Sequence, residues 1–333
     1  MKSSHPSFSR ALIGVALGVA ALLSGCAVNM KVPIKDPVVS ATQYEKAGEL
    51  PPVALAFKDA RPEPEKKAIL GGTIPMQLVY QDKPFDALPW LSTQVTREMV
   101  ARGLPVTQAG AGESGTEVLI RRAHIENYRS NGFSPFITFT SLRADVQTPK
   151  GLQRVTAYVK RGKVPVWSFD EIIDPTFNTP LGLVAKELAA KLNQQLYGQV
   201  VSDATVKALL AKLKQNNAAP EDAYLDVYEL GFSNNPIAIP ELAKLVTHSS
   251  EYVRLAAISS LGILKAADQL PLLMAIYESK DNIWQDRAMA LKSIGDIGTP
   301  RAFAYMRKQS KSLGKGDDKE VKWTREILRL YRK

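Results

Sequence analysis

The sequence predicts an α+β domain, in which helices cover an antiparallel or mixed sheet, followed by an all-α solenoid of repeated helix pairs. Three observations predict this order. Strand-like alternation and helical stripes follow one another through the first two thirds of the 333 residues. A sequence pattern then recurs at an offset of 33 residues in the last third. The chain also begins with an apolar run that ends at its one cysteine, Cys26.

The first 25 residues have the composition of a secretory leader. Lys2 and Arg10 form a basic start, and an apolar run of 13 residues follows, from Ala11 to Leu23. Thirteen residues are too few to cross a bilayer core of about 30 Å as a helix. We therefore expect a leader that is cut away and that does not span the membrane.

The leader closes on Leu23-Ser24-Gly25-Cys26, which resembles the lipobox of bacterial lipoproteins. The resemblance implies that residues 1–25 are a lipoprotein signal peptide and that Cys26, as the new first residue, carries covalent lipid. Because Ala27 follows, and not Asp, it also implies the outer membrane, with the protein facing the periplasm. An ordinary cleaved signal with a chance cysteine, or an uncleaved anchor, is the alternative.

Composition indicates a globular body with a basic surplus. Hydrophobic residues make up 45% of the chain and charged residues 23%. Without Lys2 and Arg10 the chain holds 41 basic and 33 acidic residues, a net charge of +8. For a secreted protein this favours anionic lipid or an acidic protein as partner, and not nucleic acid. Once Cys26 is acylated, no thiol is left for a disulfide, a metal site or catalysis.

Residues 26–50 contain Pro33 and Pro37 and no helical stripe. This composition predicts an extended tether between the lipidated Cys26 and the folded body. A strand packed at the edge of the first domain is the open alternative.

The region 51–216 predicts the α+β domain. Alternating apolar residues from Val53 to Phe57 indicate a first strand, and apolar residues at four-residue spacing from Leu91 to Met99 indicate a helix that stops at Gly103. Further strand-like runs and two helical stripes follow in order: 116–128, 136–147, 152–160 and 164–169 as strands, then 181–196 and 206–213 as helices.

Three short motifs in this region carry a likeness to a known family. They are Asp59-x-Arg61, Met99-Val100-Ala101-Arg102-Gly103 and Lys214-Gln215-Asn216. Each of them resembles the YajG-like family of bacterial envelope lipoproteins, over roughly residues 50–216 of this chain. The resemblance implies an envelope location and an α+β fold. It implies no activity and no catalytic residue.

The sequence of residues 217–333 predicts the solenoid. Residues 253–262 and 286–295 align with coinciding arginine, alanine, aliphatic and glycine positions, and Leu230-Gly231 fits the same ending. Thr324-Arg325 begins a truncated last copy. Helix pairs that recur at about 30 residues are typical of α-solenoids, and this spacing resembles short bacterial HEAT-type repeats. A non-repetitive helical bundle is the open alternative.

Positive charge concentrates at the carboxyl end of the chain. Residues 301–333 hold 11 basic and 4 acidic residues. Arg325, Arg329 and Arg332 fall at helical spacing beside Trp323. These four residues predict a surface that docks on anionic lipid or an acidic partner. A solvated cap on the terminal repeat is the alternative.

No pattern in the sequence predicts catalysis, a cofactor or a metal site. Gly110 to Gly115 matches the dinucleotide-binding fingerprint, but a strand-like segment follows where a helix is required, so we interpret it as a flexible hairpin loop. His124 and His248 have no acid or second histidine at ligand spacing. We interpret them as a packed and a solvated residue.

These observations together predict a non-catalytic protein held to the membrane by its acyl anchor. Its function would be binding or scaffolding in the cell envelope, with a protein partner bound by the HEAT-like repeats. The alternative is an accessory lipoprotein that handles lipid or lipopolysaccharide and holds an acyl chain between its sheet and the covering helices.

Overall fold

The computed structural model describes residues 30–332 except 47–48, 111, 166, 216, 219–220 and 317. The predicted signal peptide and the lipidation site, with Leu23, Ser24, Gly25 and Cys26, lie outside the described residues. Among the helices of the described part, none is both long enough and apolar enough to cross a bilayer.

A mixed sheet forms the centre of the first half of the chain, as the sequence predicts. It has the strand order β6-β2-β7-β8-β9, in which β2 runs parallel to both neighbours and β7 to β9 form an antiparallel meander. β3 pairs with the far end of β7, and β1, β4 and β5 form a smaller sheet. The strands are β1 (Met30–Pro33), β2 (Val53–Asp59), β3 (Leu70–Gly72), β4 (Met76–Tyr80), β5 (Lys83–Pro84), β6 (Val106–Gln108), β7 (Thr116–Tyr128), β8 (Phe136–Thr148) and β9 (Gly151–Lys163).

Two long helices, α2 and α3, cover the main sheet, and a helical solenoid follows them, which confirms the predicted fold class. The Asp86 carboxylate caps α2 by accepting a hydrogen bond from the Leu88 amide. The helices are α1 (Glu63–Lys67), α2 (Ala87–Ala101), α3 (Thr179–Leu196), α4 (Asp203–Gln215), α5 (Ala223–Phe232), α6 (Ile239–Leu245), α7 (Glu251–Ile263), α8 (Leu270–Glu278), α9 (Trp284–Ile297), α10 (Pro300–Ser312) and α11 (Lys319–Tyr331).

Residues 30–46 lie against the α+β domain. β1 pairs in parallel with β4, and the Val32 side chain in it is fully buried. Farther along, the Tyr44 amide donates to the Arg102 carbonyl at 3.0 Å. The predicted tether over 26–50 is therefore wrong for residues 30–46, because β1 completes the smaller sheet and the side chains of Val32, Ile34 and Tyr44 enter the core, although Val38 stays exposed. The alternative of a packed edge strand describes β1.

The helices from α4 to α11 form four pairs in the described part of the chain. The second helix of each pair lies on the inner side, so that α5, α7, α9 and α11 stack in order. The predicted boundary at residue 216 separates α4 from α5, although these two helices pack together. The helical array therefore begins one helix earlier than the sequence predicts.

Three glycines let the inner helices approach closely. A Cβ atom on Gly262 would lie 2.6 Å from the Ser293 Cα of the next inner helix, and one on Gly231 would lie 2.5 Å from Ser260 Oγ. At the end of the array a Cβ on Gly295 would lie 2.6 Å from the Tyr331 ring. The glycines that end each predicted repeat are therefore required by the distance between neighbouring helices.

The inner helices of the solenoid lie against β9, the edge strand of the main sheet. Lys160 pairs with Glu251 of α7 at 2.5 Å, and the Gly162 amide donates to the Tyr252 hydroxyl at 3.1 Å. Farther along β9, Arg154 donates to the Tyr331 carbonyl at 2.6 Å. The solenoid thus covers an edge that would otherwise expose unpaired backbone groups.

The segment between Gly110 and Gly115 joins β6 to β7, which flank β2 and run parallel to it. The interpretation as a hairpin loop is therefore wrong, because the two strands that it joins are separated by a third. The fingerprint requires a helix after the glycines, and strand β7 follows them, as the sequence predicts. Gly115 is needed there because a Cβ would lie 2.6 Å from the Ala54 carbonyl oxygen.

Candidate functional site: a basic groove at the last helix pair

Two buried ion clusters fix the solenoid to the α+β domain and so position its surfaces. In the first, Lys292 of α9 contacts Glu187 of α3 at 2.5 Å and Asp296 at 2.8 Å. Lys191 of α3 reaches the same two carboxylates at 2.7 and 2.8 Å. Because two ammonium groups face two carboxylates, the cluster is neutral overall and each ion has a partner.

Burial and pairing have opposite effects on the pKa values in this cluster. Burial would raise the pKa of Asp296, but Lys191 and Lys292 outweigh it and hold the pKa at about 2. Burial would likewise lower the pKa of Lys292, but Asp296 and Glu187 outweigh it and raise that pKa. Asp296 and Lys292 therefore stay charged at neutral pH and stabilise the interface as ions.

The second cluster centres on Arg102, whose side chain is fully buried. Its guanidinium donates to Glu98 at 2.7 Å, to Glu229 of α5 at 2.8 Å and to the Ser40 hydroxyl at 2.7 Å. Burial would raise the pKa of Glu229, but Arg102 and then Lys186 outweigh it, and the pKa lies below its ordinary value. One arginine thus joins the amino-terminal segment, α2 and the first repeat.

An open groove of about 780 Å³ lies beside the last helix pair, bounded by α10, the end of α11 and the start of β9. Its apolar surface comes from Leu152, Phe303, Met306 and Leu328. Phe303 is partly exposed there. An apolar surface of this size that is open to solvent is typical of a binding site for a partner or ligand.

Four cations surround this apolar surface. They are Arg154, Arg307, Lys311 and Arg332, and none of the described residues that line the groove is acidic. Arg332 donates to the Ser310 hydroxyl at 3.1 Å, and no acidic partner is recorded for Arg307 or Lys311 among the described residues. The groove can therefore bind a molecule that is both apolar and anionic.

A smaller polar pocket of about 210 Å³ adjoins the groove, and Arg154, Phe303 and Tyr331 line both. Its other polar residues include Lys265, and also Lys191 and Asp296, which pair with each other at 2.8 Å. Lys265 has a φ of +52°, at the position that follows the inner helix of its repeat. This conformation favours glycine or asparagine, and the corresponding positions in the neighbouring repeats are Asn234 and Gly298.

The four residues that the sequence predicts as one anionic-partner surface do not form a single face. Trp323 is half-buried and packs against Phe139, with 4.6 Å between ring centroids, and together with Arg325 it lines a separate pocket of about 460 Å³. Arg329 pairs with Glu65 of the α+β domain at 2.6 Å, and Arg325 donates to the Gly314 carbonyl at 3.2 Å. Only Arg332 lines the basic groove. The predicted surface is therefore wrong as a single face, because Trp323 completes an aromatic core and Arg329 joins the two domains.

The two histidines lie in different domains. His124 contacts the Glu126 carboxylate at 3.2 Å, and His248 contacts the Asn217 carbonyl at 3.1 Å while accepting from the Ser250 amide. His248 therefore has structural bonds and is not simply solvated. In the described ranges of the chain, no three histidine, cysteine or acidic residues are placed to hold a metal ion.

No sequence pattern described above predicts a site role for Arg307, Lys311, Arg154 or Lys265. Arg307 and Lys311 share one face of α10 at four-residue spacing, inside the basic carboxyl region, so helical periodicity could have found them. Arg154 lies on β9, about 150 residues away in sequence, and only the tertiary fold brings it to the groove.

One comparison with known proteins supports the repeat architecture. A family model described as HEAT repeats matches residues 206–286. One solved structure, described as an uncharacterized protein, is similar over 46% of this chain and 98% of its own length, with 11% identity and a TM-score of 0.29. A similarity at that level carries no argument about function. The comparison with curated proteins gives no match.

Proposed function

We propose that this protein is a lipid-anchored scaffold of the bacterial cell envelope, attached to the outer membrane through Cys26 and facing the periplasm. Its HEAT-like repeats bind a protein partner, and it catalyses no reaction. The YajG-like motifs and the lipobox of the sequence support the location. The repeats support the scaffold, because stacked helix pairs present long rigid surfaces to partners.

The basic groove is the observation that carries this proposal. Much of the inner side of the solenoid lies against β9 and α3 of the same chain, so that side is already occupied. The groove beside α10 is open, apolar at its centre and surrounded by four cations. An acidic, amphipathic segment of a partner protein has the charge and the apolar surface that complement it.

A second candidate is the handling of anionic lipid. The adjoining pocket favours it through Lys265, since Lys191 there is already paired with Asp296, and a headgroup at Lys265 would place an acyl chain toward the apolar groove. Under this proposal the ligand lies beside the last repeat, and not between the sheet and the helices α2 and α3, where the core is filled by packed side chains.

The first test addresses the anchor. Cells that express the full chain are labelled with radioactive palmitate, and the Cys26→Ser variant is the control. The anchor is supported if palmitate labels the native chain but not the variant, and if the native chain is found in the outer-membrane fraction. An unlabelled native chain refutes it.

The second test addresses the groove. The double variant Arg307→Glu, Lys311→Glu is compared with Lys308→Glu, which reverses a charge on the same helix outside the groove. Affinity capture from intact envelopes should lose one protein partner in the double variant and keep it in the control. Lipid extraction of the captured native chain distinguishes the two proposed functions. Anionic lipid that co-purifies without a protein partner supports lipid handling.

A further inference from the structure

Two aromatic side chains are almost fully exposed on the α+β domain. Phe133, between β7 and β8, is 95% exposed, and Trp167, after β9, is 92% exposed. The other three tryptophans are buried or half-buried. Two large apolar side chains left in water at this level are typical of an interaction surface.

The strand register places both aromatics at the same end of the sheet. Phe136, which begins β8, lies opposite Lys163, which ends β9. Phe133 precedes Phe136 by three residues, and Phe169 packs against the Phe136 ring with 5.6 Å between centroids. Trp167 is two residues from Phe169, so the two exposed aromatics flank one buried aromatic contact.

Hydrogen bonds hold the loop around Phe133 in a defined shape. The Phe133 and Ser134 amides both donate to the Asn131 side-chain oxygen at 2.9 Å. The Arg129 guanidinium donates to the Ser134 carbonyl at 3.1 Å and also to the Gly132 carbonyl. The exposure of Phe133 therefore belongs to an ordered turn.

The described chain begins at this same end of the domain. Met30 lies opposite Met76, at the start of β4. Two residues earlier, Ile74 is bonded to Asn127 near the end of β7. Cys26 is four residues before Met30, and four residues span at most about 14 Å. A lipid on Cys26 would therefore hold the bilayer against the end of the sheet that presents Phe133 and Trp167.

We propose that this end of the α+β domain docks on the lipid bilayer, with Phe133 and Trp167 inserted among the headgroups. This inference rests on the proposed acylation of Cys26. Aromatic side chains are favoured at the membrane interface, where an apolar ring meets a polar surface. Lys163 and Asp170 give this end charges of both signs, so the docking depends on the aromatic rings and not on anionic lipid.

The experiment uses the full acylated chain in phosphatidylcholine vesicles whose acyl chains carry bromine close to the headgroup. Bromine should quench the emission of Trp167, and the Trp167→Phe variant should lose that quenching. The matched control is Lys150→Trp in the Trp167→Phe background, because Lys150 is exposed in the turn between β8 and β9, at the opposite end of the sheet. Its tryptophan should escape quenching.

Equal quenching of Trp167 and of the control tryptophan would overturn the docking, and so would an absence of quenching at Trp167 in the acylated chain. Neither result would contradict the acylation of Cys26. A chain without lipid on Cys26 refutes the anchor separately. The chain without lipid can still be added to vesicles to test the two aromatic side chains. The double variant Phe133→Ser, Trp167→Ser should lower its partition from water onto the vesicles about tenfold or more. Unchanged partition would also overturn the docking.

Discussion

Lys292 and Glu187, 105 residues apart in sequence, meet at 2.5 Å with neither side chain exposed to solvent. The contact joins the third helix pair to the helix that covers the sheet. Lys191 and Asp296 complete the cluster, so that buried charges from each half of the chain are neutralised by charges from the other half. Loss of one ion leaves another buried without its counter-charge.

Lys292→Met should therefore lower the free energy of unfolding by about 3–5 kcal/mol. Adding Glu187→Gln should recover part of the loss, because Lys191 and Asp296 then form a balanced pair. The control is Lys244→Met, which removes an exposed ion pair with Glu241 and should cost about 1 kcal/mol or less. Urea denaturation measures all three variants. Equal losses for Lys292→Met and the control would contradict the prediction.

Acid should weaken this interface through Asp296. Its pKa lies at about 2, below the ordinary value of 3.8, so its charge stabilises the fold by about 2 kcal/mol above pH 4. This contribution should be lost as the pH falls from 4 toward 2, because the unfolded chain takes up the proton first. Urea denaturation of the native chain and of Asp296→Asn should converge in stability over that range. If the stability difference between the native chain and Asp296→Asn stays constant over this pH range, the prediction is wrong.

Gly262→Ala should destabilise the solenoid, although alanine normally favours a helix over glycine by about 1 kcal/mol. The added methyl group would lie 2.6 Å from the Ser293 Cα, so α7 and α9 must separate. Overpacking of this kind costs about 1–3 kcal/mol. Thermal unfolding followed by circular dichroism gives the sign of the effect. A melting temperature equal to or above that of the native chain would show that the helices can separate freely.

Lys265→Asn should stabilise the protein by about 0.5–1 kcal/mol. A lysine with φ of +52° is strained, and asparagine adopts this conformation more readily. The control is Lys308→Asn in the interior of α10, which should be neutral or slightly destabilising. Chemical denaturation compares the two. A loss of stability in Lys265→Asn would mean that the lysine side chain makes a contact worth more than the strain.

The repeat architecture was predictable because its physical requirement is local. Each inner helix needs a glycine where the next helix crosses it, and Gly231, Gly262 and Gly295 repeat at nearly constant spacing. Three strands of the meander were predictable for a similar reason, since each of them alternates and turn residues separate them. These elements need no knowledge of distant contacts. The predicted strand over 164–169 is wrong, because β9 continues to Lys163 and a 3-10 helix begins at Phe169.

The interfaces between the parts were not predictable from these patterns. Lys292 and Glu187 each lie within an amphipathic helix, where a charged residue is normally assigned to the solvent side. β1 is only four residues long and has a partner strand 43 residues later, so its short pattern indicates a tether. Trp323 beside three arginines suggests a surface, but its ring completes a cluster with Phe139 and Trp284.

The carboxyl end of α11 is tied to the sheet by Arg154, which binds the Tyr331 carbonyl, and by Arg143, which binds the Arg332 carbonyl. Repeat arrays commonly gain or lose units by duplication at their ends. A helix pair inserted between existing pairs would displace this far end from β9 and separate both arginines from the carbonyls that they bind. The number of helix pairs between α4 and α11 is thus constrained by the neighbouring domain.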